Sequence, residues 1–349
     1  MRRELEASAT AASTSMEGVP VTVDEVRRIL AGDQPSEVAE SDRRLVEGYR
    51  DAMSYVLRRA DDPGFAWQAE LILGLHDRVM GGSYALGAGR FRSGQVLVAD
   101  AATSREIYRP PAPDAVPDLV VDLAVRAQHE SERTPAPIVA ALVHVRLAGV
   151  HPFADGNGRT ARVLASLAMY RGGYTRPEFT SLEEWWGSHR ASYYKAFGCL
   201  GAAWDAAADV TEFVVAHVSA QRTQVEALSL REATQRQLWT LLEDAVMEDL
   251  GMPARCADVL YDGFFGREVT NRYYRNLADI STATATNDLA RLEASGLIRS
   301  TGAGRARSYT GASALIDTVS RMGRLGEPPQ DAPEADRRAW VVARLAERV

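Results

Sequence analysis

Lysine is nearly absent from this 349-residue sequence, and long apolar runs are missing. Lys195 is the single lysine, a bias that is typical of GC-rich coding and indicates no particular chemistry. No stretch approaches the ~18 apolar residues that a membrane-spanning helix needs, and no apolar run follows Arg2 and Arg3 as in a secretory signal. Cys199 and Cys256 are too few for a disulfide framework and do not form a metal-like pair. We therefore expect a cytoplasmic protein with no membrane partner.

The overall composition is that of an ordinary globular protein. Hydrophobic residues make up 46% of the chain and charged residues 25%, and the net charge is -7 with an isoelectric point near 5.5. An acidic chain has no general affinity for nucleic acid, because its field repels phosphate. The length favours two or three domains, one of them large enough for a sizeable core.

Apolar spacing predicts a mainly α fold. The first twelve residues are polar and small, which fits either a frayed terminus or a short helix. Two β-rich stretches, 95–98 and 106–108, flank a polar turn and predict a small β-hairpin. The predicted helices cover residues 23–57 with a break at 32–35, then 67–79, 116–132, 137–150, a segment from just after Phe153 to Tyr170, 183–197 and 210–228.

A second unit is predicted to begin near residue 232, where the composition changes. Its pattern resembles a winged helix-turn-helix, with Thr284 to Arg291 opening the recognition helix and Arg305 and Arg307 on the wing. Between residues 267 and 311, seven arginines minus four acidic residues give a local charge of +3. DNA binding and a docking or dimerisation role both stay open. The segments are an amphipathic helix at 237–249, two helices within 275–296, a hairpin at 296–311, a linker at 326–333 and a terminal helix at 334–349.

The chemistry of the chain is concentrated in residues 151–162, which read HPFADGNGRTAR and connect two predicted helices. The Gly-Asn-Gly step supplies backbone N–H groups at a helix N-terminus, where the helix dipole also favours an anion. Arg159 and Arg162 are three residues apart and therefore share one face of the first turns. Guanidinium groups match phosphate oxygens in a bidentate way. The segment is therefore a candidate polyphosphate site.

Two further side chains in this run suit group transfer. Asp155 is a hard oxygen ligand of the kind that Mg²⁺ prefers, and it is also placed to cap the following helix. His151 titrates near neutral pH and can accept the proton of a hydroxyl. Together with the arginines, this indicates phosphoryl or nucleotidyl transfer. The remaining histidines lack metal-ligand spacing, and we interpret them as structural or solvated: His76, His129, His144, His189 and His217.

In its fixed positions the run resembles the Fic-family motif, His-Pro-Phe-x-Asp/Glu-Gly-Asn-Gly-Arg-x-x-Arg, and every fixed position is filled. The resemblance covers roughly residues 13–225 and includes the flanking 108–111 segment and the pair Tyr193-Tyr194. It implies a helical bundle core with a small β-hairpin flap that registers an extended target segment. It also implies transfer of AMP from ATP to a protein hydroxyl.

The resemblance assigns a role to each motif residue. His151 would deprotonate the target hydroxyl, which attacks the α-phosphate, and Asp155 would bind the Mg²⁺ that joins the α- and β-phosphates. Glycine at position 158 favours AMP transfer, since a phosphorylating branch of the family carries lysine there. An asparagine often found near the adenine is not evident at residues 197–201. The anion hole would be formed by Gly156, Asn157 and Gly158, and the outer phosphates would meet Arg159 and Arg162.

Residues 13–18, which read STSMEG, resemble the inhibitory motif of the same family, Ser/Thr-x-x-x-Glu-Gly/Asn, in its N-terminal arrangement. A carboxylate can take the place of a phosphate oxygen at an arginine. Glu17 bound to Arg162 would therefore displace the γ-phosphate and misplace ATP. Some relatives use the same glutamate to remove AMP, so the reverse reaction stays open.

The predicted organisation is an inhibitory helix and helical cap at 1–60, a catalytic core at 61–228, a winged-helix domain at 232–318, and a linker with terminal helix at 319–349. The predicted function is a protein adenylyltransferase that uses ATP and Mg²⁺ to modify a Ser, Thr or Tyr hydroxyl of another protein or of itself. The alternatives are a de-AMPylase or other phosphate-group transferase, and a DNA-binding regulator with a nucleotide-sensing core. A homodimer is left open.

Overall fold

The computed structural model describes residues 2–99, 105–176 and 182–349. The turn of the predicted hairpin and the side chain of Arg305 lie outside the described part. The chain forms two compact units: residues 2–29 with 36–226, and residues 30–35 with 227–349. The mainly α fold class is confirmed. The four-part division drawn from the sequence stays a prediction.

The first unit consists of helices and one small hairpin. Strands β1 (Val98–Ala99) and β2 (Glu106–Tyr108) pair antiparallel, with an irregularity between the two residues of β1. The helices are α1 (Arg2–Met16), α2 (Val23–Leu30), α3 (Glu40–Ala60), α4 (Ala69–Val79), α5 (Val116–Ser131), α6 (Ala136–Val150), α7 (Asn157–Arg171), α8 (Glu183–Ser188), α9 (Arg190–Ala196) and α10 (Thr211–Asp244), the last of which continues into the second unit.

Helix α7 lies at the centre of the first unit. Its side chains are buried from Asn157 through Tyr170, so no face of the helix is left for solvent. Helices α3, α4 and α6 pack against it, and α6 is itself apolar over most of its length. The residues that open α7 are therefore held in a rigid, water-poor environment at the top of a packed core.

Two helical segments differ from the sequence prediction, and the N-terminal segment takes the helical one of its two predicted forms. Residues 2–16 form a full helix, and α10 continues through residues 229–236, where a break was expected. That stretch loses apolar periodicity but contains neither Gly nor Pro, so nothing ends the helix. Residues 183–197 instead split at His189, whose backbone has φ of -123° and ψ of 42°. No helix in the described ranges is long and apolar enough to cross a membrane.

The second unit combines helices with a three-stranded antiparallel sheet of order β3-β5-β4. Thr270 and Ser281 cap two successive helices through their side chains. A helix pair followed by a hairpin is the order that the sequence analysis predicted, and the winged-helix assignment stays a prediction. The elements are α11 (Cys256–Phe264), β3 (Val269–Thr270), α12 (Asn271–Ala278), α13 (Thr282–Ala294), β4 (Ile298–Thr301), β5 (Ser308–Gly311), α14 (Ser313–Met322) and α15 (Glu334–Ala346).

Candidate active site

The loop between α6 and α7 turns on two residues with left-handed backbone. His151 ends α6 with φ of 48°, and Gly156 caps α7 with φ of 76°. A Cβ at Gly156 would lie 2.6 Å from Met80 Sδ, so only glycine fits this position. The Asn157 side chain holds the loop closed, because its Oδ1 accepts from Phe153 N at 3.0 Å and its Nδ2 donates to Phe153 O at 2.9 Å.

His76 on α4 supports the same loop from below. Its ring stacks on Phe153 with centroids 3.7 Å apart, and Nδ1 accepts from Gly89 N at 3.1 Å. The proton therefore resides on Nε2, which donates to Asp155 O at 3.0 Å. Burial lowers the pKa of His76 to about 4, so the ring is neutral at pH 7. The sequence analysis grouped this residue with structural or solvated histidines; its position on the apolar face of α4 was the available signal.

His151 has the hydrogen bonding of a general base. Its Nδ1 lies 3.3 Å from Ala148 O, and a carbonyl can only accept, so Nδ1 carries the proton. In the neutral ring Nε2 is then the free acceptor. Burial, and the nearby charge of Arg92, lower the pKa of His151 below its ordinary value of 6.5. The imidazole is therefore unprotonated at neutral pH.

Arg159 is a buried cation with unused donors. Its side chain is 1% exposed, and its one ion pair is a long contact of 3.4 Å from Nη2 to Asp155 Oδ2. Among the described residues, Nε and Nη1 have no hydrogen-bond partner. Unsatisfied buried guanidinium groups are costly, and the first backbone N–H groups of α7 point to the same end of the helix. This arrangement calls for a bound anion with several oxygens.

Asp155 keeps an accessible carboxylate beside that anion site. Its side chain is 62% exposed, and Oδ1 accepts from Gly156 N at 2.6 Å. The described residues contain no group of three or more His, Cys, Asp or Glu side chains that could enclose a metal. A lone carboxylate next to a phosphate site fits Mg²⁺, which keeps several waters and binds through one or two carboxylates and substrate phosphates.

Glu17 forms an ion pair with Arg162, the second arginine of the motif. Its Oε1 accepts from Arg162 Nη2 at 2.9 Å, and the Arg162 side chain is 2% exposed. Ser13 also binds this guanidinium, through Oγ to Nε at 2.9 Å and through its carbonyl to Nη2 at 3.0 Å. A Cβ at Gly158 would lie 2.2 Å from Glu17 Oε1, so the carboxylate lies directly against the first turn of α7.

Part of the chain that carries this site is similar to proteins of a known family. Residues 66–169 match the Fic/DOC family. The chain is therefore similar to a Fic domain over residues 66–169. Over 124 residues it is 40% identical to the protein adenylyltransferase fic-1 of Caenorhabditis elegans, covering 35% of this chain and 22% of that protein. Over 174 residues it is 31% identical to the protein adenylyltransferase Fic of Nematostella vectensis, covering 46% of this chain and 37% of that one.

The family resemblance found in the sequence is thereby confirmed, although the chain spans well under half the length of these relatives. A solved Fic family protein from Desulfovibrio desulfuricans G20 shares the fold with a TM-score of 0.54. The two chains are 21% identical, and the match covers 89% of this chain and 87% of that one.

A buried polar network lies behind Arg162. Arg162 Nη1 donates to Tyr193 OH at 3.3 Å, and His144 Nε2 lies 3.0 Å from the same hydroxyl. Burial lowers the pKa of His144, so its ring is neutral and its Nε2 accepts a hydrogen bond from Tyr193 OH. Glu183, 1% exposed, accepts from Tyr49 OH at 2.5 Å in the same region. Apart from Tyr193 and His144, these partners were not singled out from the sequence.

The predicted site residues of the 151–162 run lie at one loop–helix junction, and Glu17 reaches Arg162 from the end of α1. His151, Asp155 and Arg159 lie on or just after the loop, and Arg162 follows one turn later. Asn157 differs in one respect: its side chain is bound to the loop, so only its backbone N–H is available to an anion. The roles of these residues remain predictions.

Proposed function

We propose that this chain is a protein adenylyltransferase, which transfers AMP from ATP to a Ser, Thr or Tyr hydroxyl of a protein. The observation that carries the proposal is Arg159, a buried guanidinium with two unpartnered donors at the N-terminus of α7. His151, whose Nε2 is unprotonated, is the first residue of the loop that leads into α7. The matching relatives named protein adenylyltransferase support AMP transfer over phosphate transfer.

The reaction follows from the donor and acceptor roles of the chain. His151 Nε2 accepts the proton of the target hydroxyl as the hydroxyl oxygen bonds to the α-phosphorus of ATP. The bond from that phosphorus to the α–β bridging oxygen breaks, and pyrophosphate leaves. Arg159 and the backbone N–H groups of residues 157 and 158 stabilise the charge that gathers on the phosphate oxygens. The imidazolium later loses its proton to solvent.

Magnesium would bind at Asp155, the exposed carboxylate beside the anion site. When bound, it would supply positive charge that neutralises the phosphates. The carboxylate is held by Gly156 N through Oδ1, which leaves Oδ2 turned toward Arg159. Asp155 would therefore present its carboxylate beside the guanidinium of Arg159, whose Nε and Nη1 have no partner among the described residues.

Glu17 would act as a brake on this activity. Its carboxylate holds Arg162 at 2.9 Å and rests on Gly158, the space where the outer phosphate of ATP would reach the motif. The carboxylate and the γ-phosphate compete for one guanidinium, so ATP binds in a misplaced pose while Glu17 stays. Replacing Glu17 with glycine gives what we call the released variant.

Labelling with α-³²P ATP tests the proposal. The released variant should place label on itself or on a lysate protein, and His151→Ala in the released variant should abolish the label. No label from the released variant with intact ATP binding would refute transfer. Loss of a pre-formed AMP adduct, with AMP appearing in solution, would instead identify de-AMPylation.

A DNA-binding regulator gains little support from the second unit. Arg299 and Arg307, on and beside the hairpin strands, pair with Glu334 and Glu293 at 2.9 and 2.7 Å. Their charge is therefore largely neutralised within the unit. Glu293 is already counted in the local excess of +3, whereas Glu334 lies outside that window, so its pairing with Arg299 lowers the excess by one.

A further inference from the structure

Arg92 is a buried arginine that binds main-chain carbonyls on three sides. Its side chain donates from Nε to His151 O at 2.9 Å, from Nη1 to Gly94 O at 3.1 Å and from Nη2 to Pro111 O at 2.6 Å. Its backbone N donates to Pro152 O at 2.9 Å. With 5% of its surface exposed, the residue is closed off from water.

The three carbonyls belong to three separate functional segments. Gly94 leads into β1, Pro111 follows the end of β2, and His151 opens the catalytic loop. One planar guanidinium therefore joins both ends of the hairpin to the backbone of the proposed base. The fork of an arginine has fixed geometry, so these three segments cannot shift independently without breaking a hydrogen bond.

The charge of Arg92 is as informative as its geometry. Its described acceptors are all neutral carbonyls, and it takes part in none of the ion pairs that the described residues form. Burying a cation without a carboxylate costs free energy that a neutral donor would avoid. A cation next to His151 opposes formation of the imidazolium ion, which gives the unpaired charge a use at this site.

We propose that Arg92 is a positioning residue, which fixes the hairpin relative to the imidazole of His151. By the family resemblance, this hairpin would receive the target segment. This inference rests on the proposed transferase function. The hairpin and the base lie on different segments, yet the target hydroxyl must meet Nε2 while its backbone lies on the hairpin. A displacement of about 1 Å between them is enough to slow such a reaction by orders of magnitude.

The nucleotide site should be largely independent of Arg92. The phosphate cradle is built from α7, and Arg92 makes none of its hydrogen bonds to that helix. Losing Arg92 should therefore impair transfer and spare ATP binding. Among the described residues, the main charges acting on His151 are those of Arg92, Glu17 and Asp155, so in the released variant the charge of Arg92 opposes that of Asp155.

The test uses the full chain of the released variant carrying Arg92→Gln, Arg92→Lys or Arg90→Gln. Arg90 is a matched control: it is exposed, two residues away, and binds Tyr84 rather than the loop. Arg92→Gln should lower the rate of AMP transfer at saturating ATP about tenfold or more and leave the ATP Kd within about twofold. Its acid limb in the pH–rate profile should move to higher pH, since the imidazolium is no longer opposed.

Arg92→Lys keeps the charge and loses the fork, so its acid limb should stay in place while its transfer rate falls to an intermediate value. This variant also carries the test if Arg92→Gln does not fold. Equal loss of ATP binding and transfer with an unmoved acid limb would overturn the inference by showing a purely structural role. Transfer by Arg92→Gln at the rate of Arg90→Gln would overturn it as well. Absence of transfer in the released variant itself would remove the proposed function and this inference with it.

Discussion

The contact between Glu17 and Arg162 makes a quantitative prediction about nucleotide selectivity. ATP can reach Arg162 with its γ-phosphate only after the 2.9 Å contact to Glu17 is broken. A hydrogen bond to a charged group contributes about 1.5–3 kcal/mol. The Arg162 side chain is 2% exposed and that of Glu17 22%, so solvent screens this pair little.

At about 1.4 kcal/mol for each factor of ten, the brake should weaken ATP binding roughly 10- to 100-fold. ADP has no γ-phosphate and does not compete with Glu17. The released variant should therefore bind ATP more tightly by that factor and bind ADP within about threefold of the parent. Glu17→Gln, which keeps the shape and loses the charge, should lie between them.

Isothermal titration with ATP and ADP on all variants measures both affinities. Glu25→Gln is the control, because the Glu25 carboxylate accepts hydrogen bonds from Thr22 N and Thr22 Oγ1 and makes no contact with Arg162. Equal tightening of ATP and ADP would refute the reasoning, since it would show that Glu17 blocks the whole nucleotide. Unchanged ATP affinity in the released variant would refute it too.

Three further predictions concern the loop and its support. Tyr193→Phe in the released variant removes the acceptor of Arg162 Nη1 and should weaken ATP about fivefold without affecting ADP, which parallel titrations would show. Because the pKa of His151 is lowered, the neutral base should persist below pH 6.5, and transfer should fall only as pH drops through that lowered pKa; an acid limb above pH 6.5 in the pH–rate profile would contradict this. Gly156→Ala would place a Cβ 2.6 Å from Met80 Sδ at a residue with φ of 76°. It should therefore lower the free energy of unfolding by about 2 kcal/mol or more, as measured by urea denaturation. Gly94→Ala, which has open space at its Cβ, should leave the free energy of unfolding unchanged.

The part of the site that the sequence predicted is the part that is contiguous in the chain. The order glycine, asparagine, glycine, arginine at a helix start fixes local backbone and dipole, so the cradle follows from residues 155–162 alone. Arg92 lies 59 residues before the loop carbonyl that it binds, that of His151. His76 lies 79 residues before the carbonyl that it binds, that of Asp155. No periodicity connects such distant positions, so only the tertiary fold brings them together.

The same reasoning explains the errors in element boundaries. The expected end of the helix near residue 228 rested on a loss of apolar spacing, which marks the end of a buried face and not the end of a helix. Helix α10 continues because residues 229–236 are good helix formers without Gly or Pro. The split at His189 was not predicted, and the backbone there leaves the helical range with φ of -123° and ψ of 42°.

Three buried arginines of the site differ in what they already bind, and this difference predicts the order in which a nucleotide is recognised. Arg92 is satisfied by carbonyls that no ligand displaces. Arg162 is satisfied by Glu17, which a phosphate can replace. Arg159 has two buried donors without a partner among the described residues. A phosphate at Arg159 therefore gains contacts without breaking any, while one at Arg162 must first displace a carboxylate. The inner phosphates should bind even when the brake is engaged, so Glu17 should control where the γ-phosphate lies, and through it the alignment of the α-phosphate with His151, more than whether nucleotide binds at all.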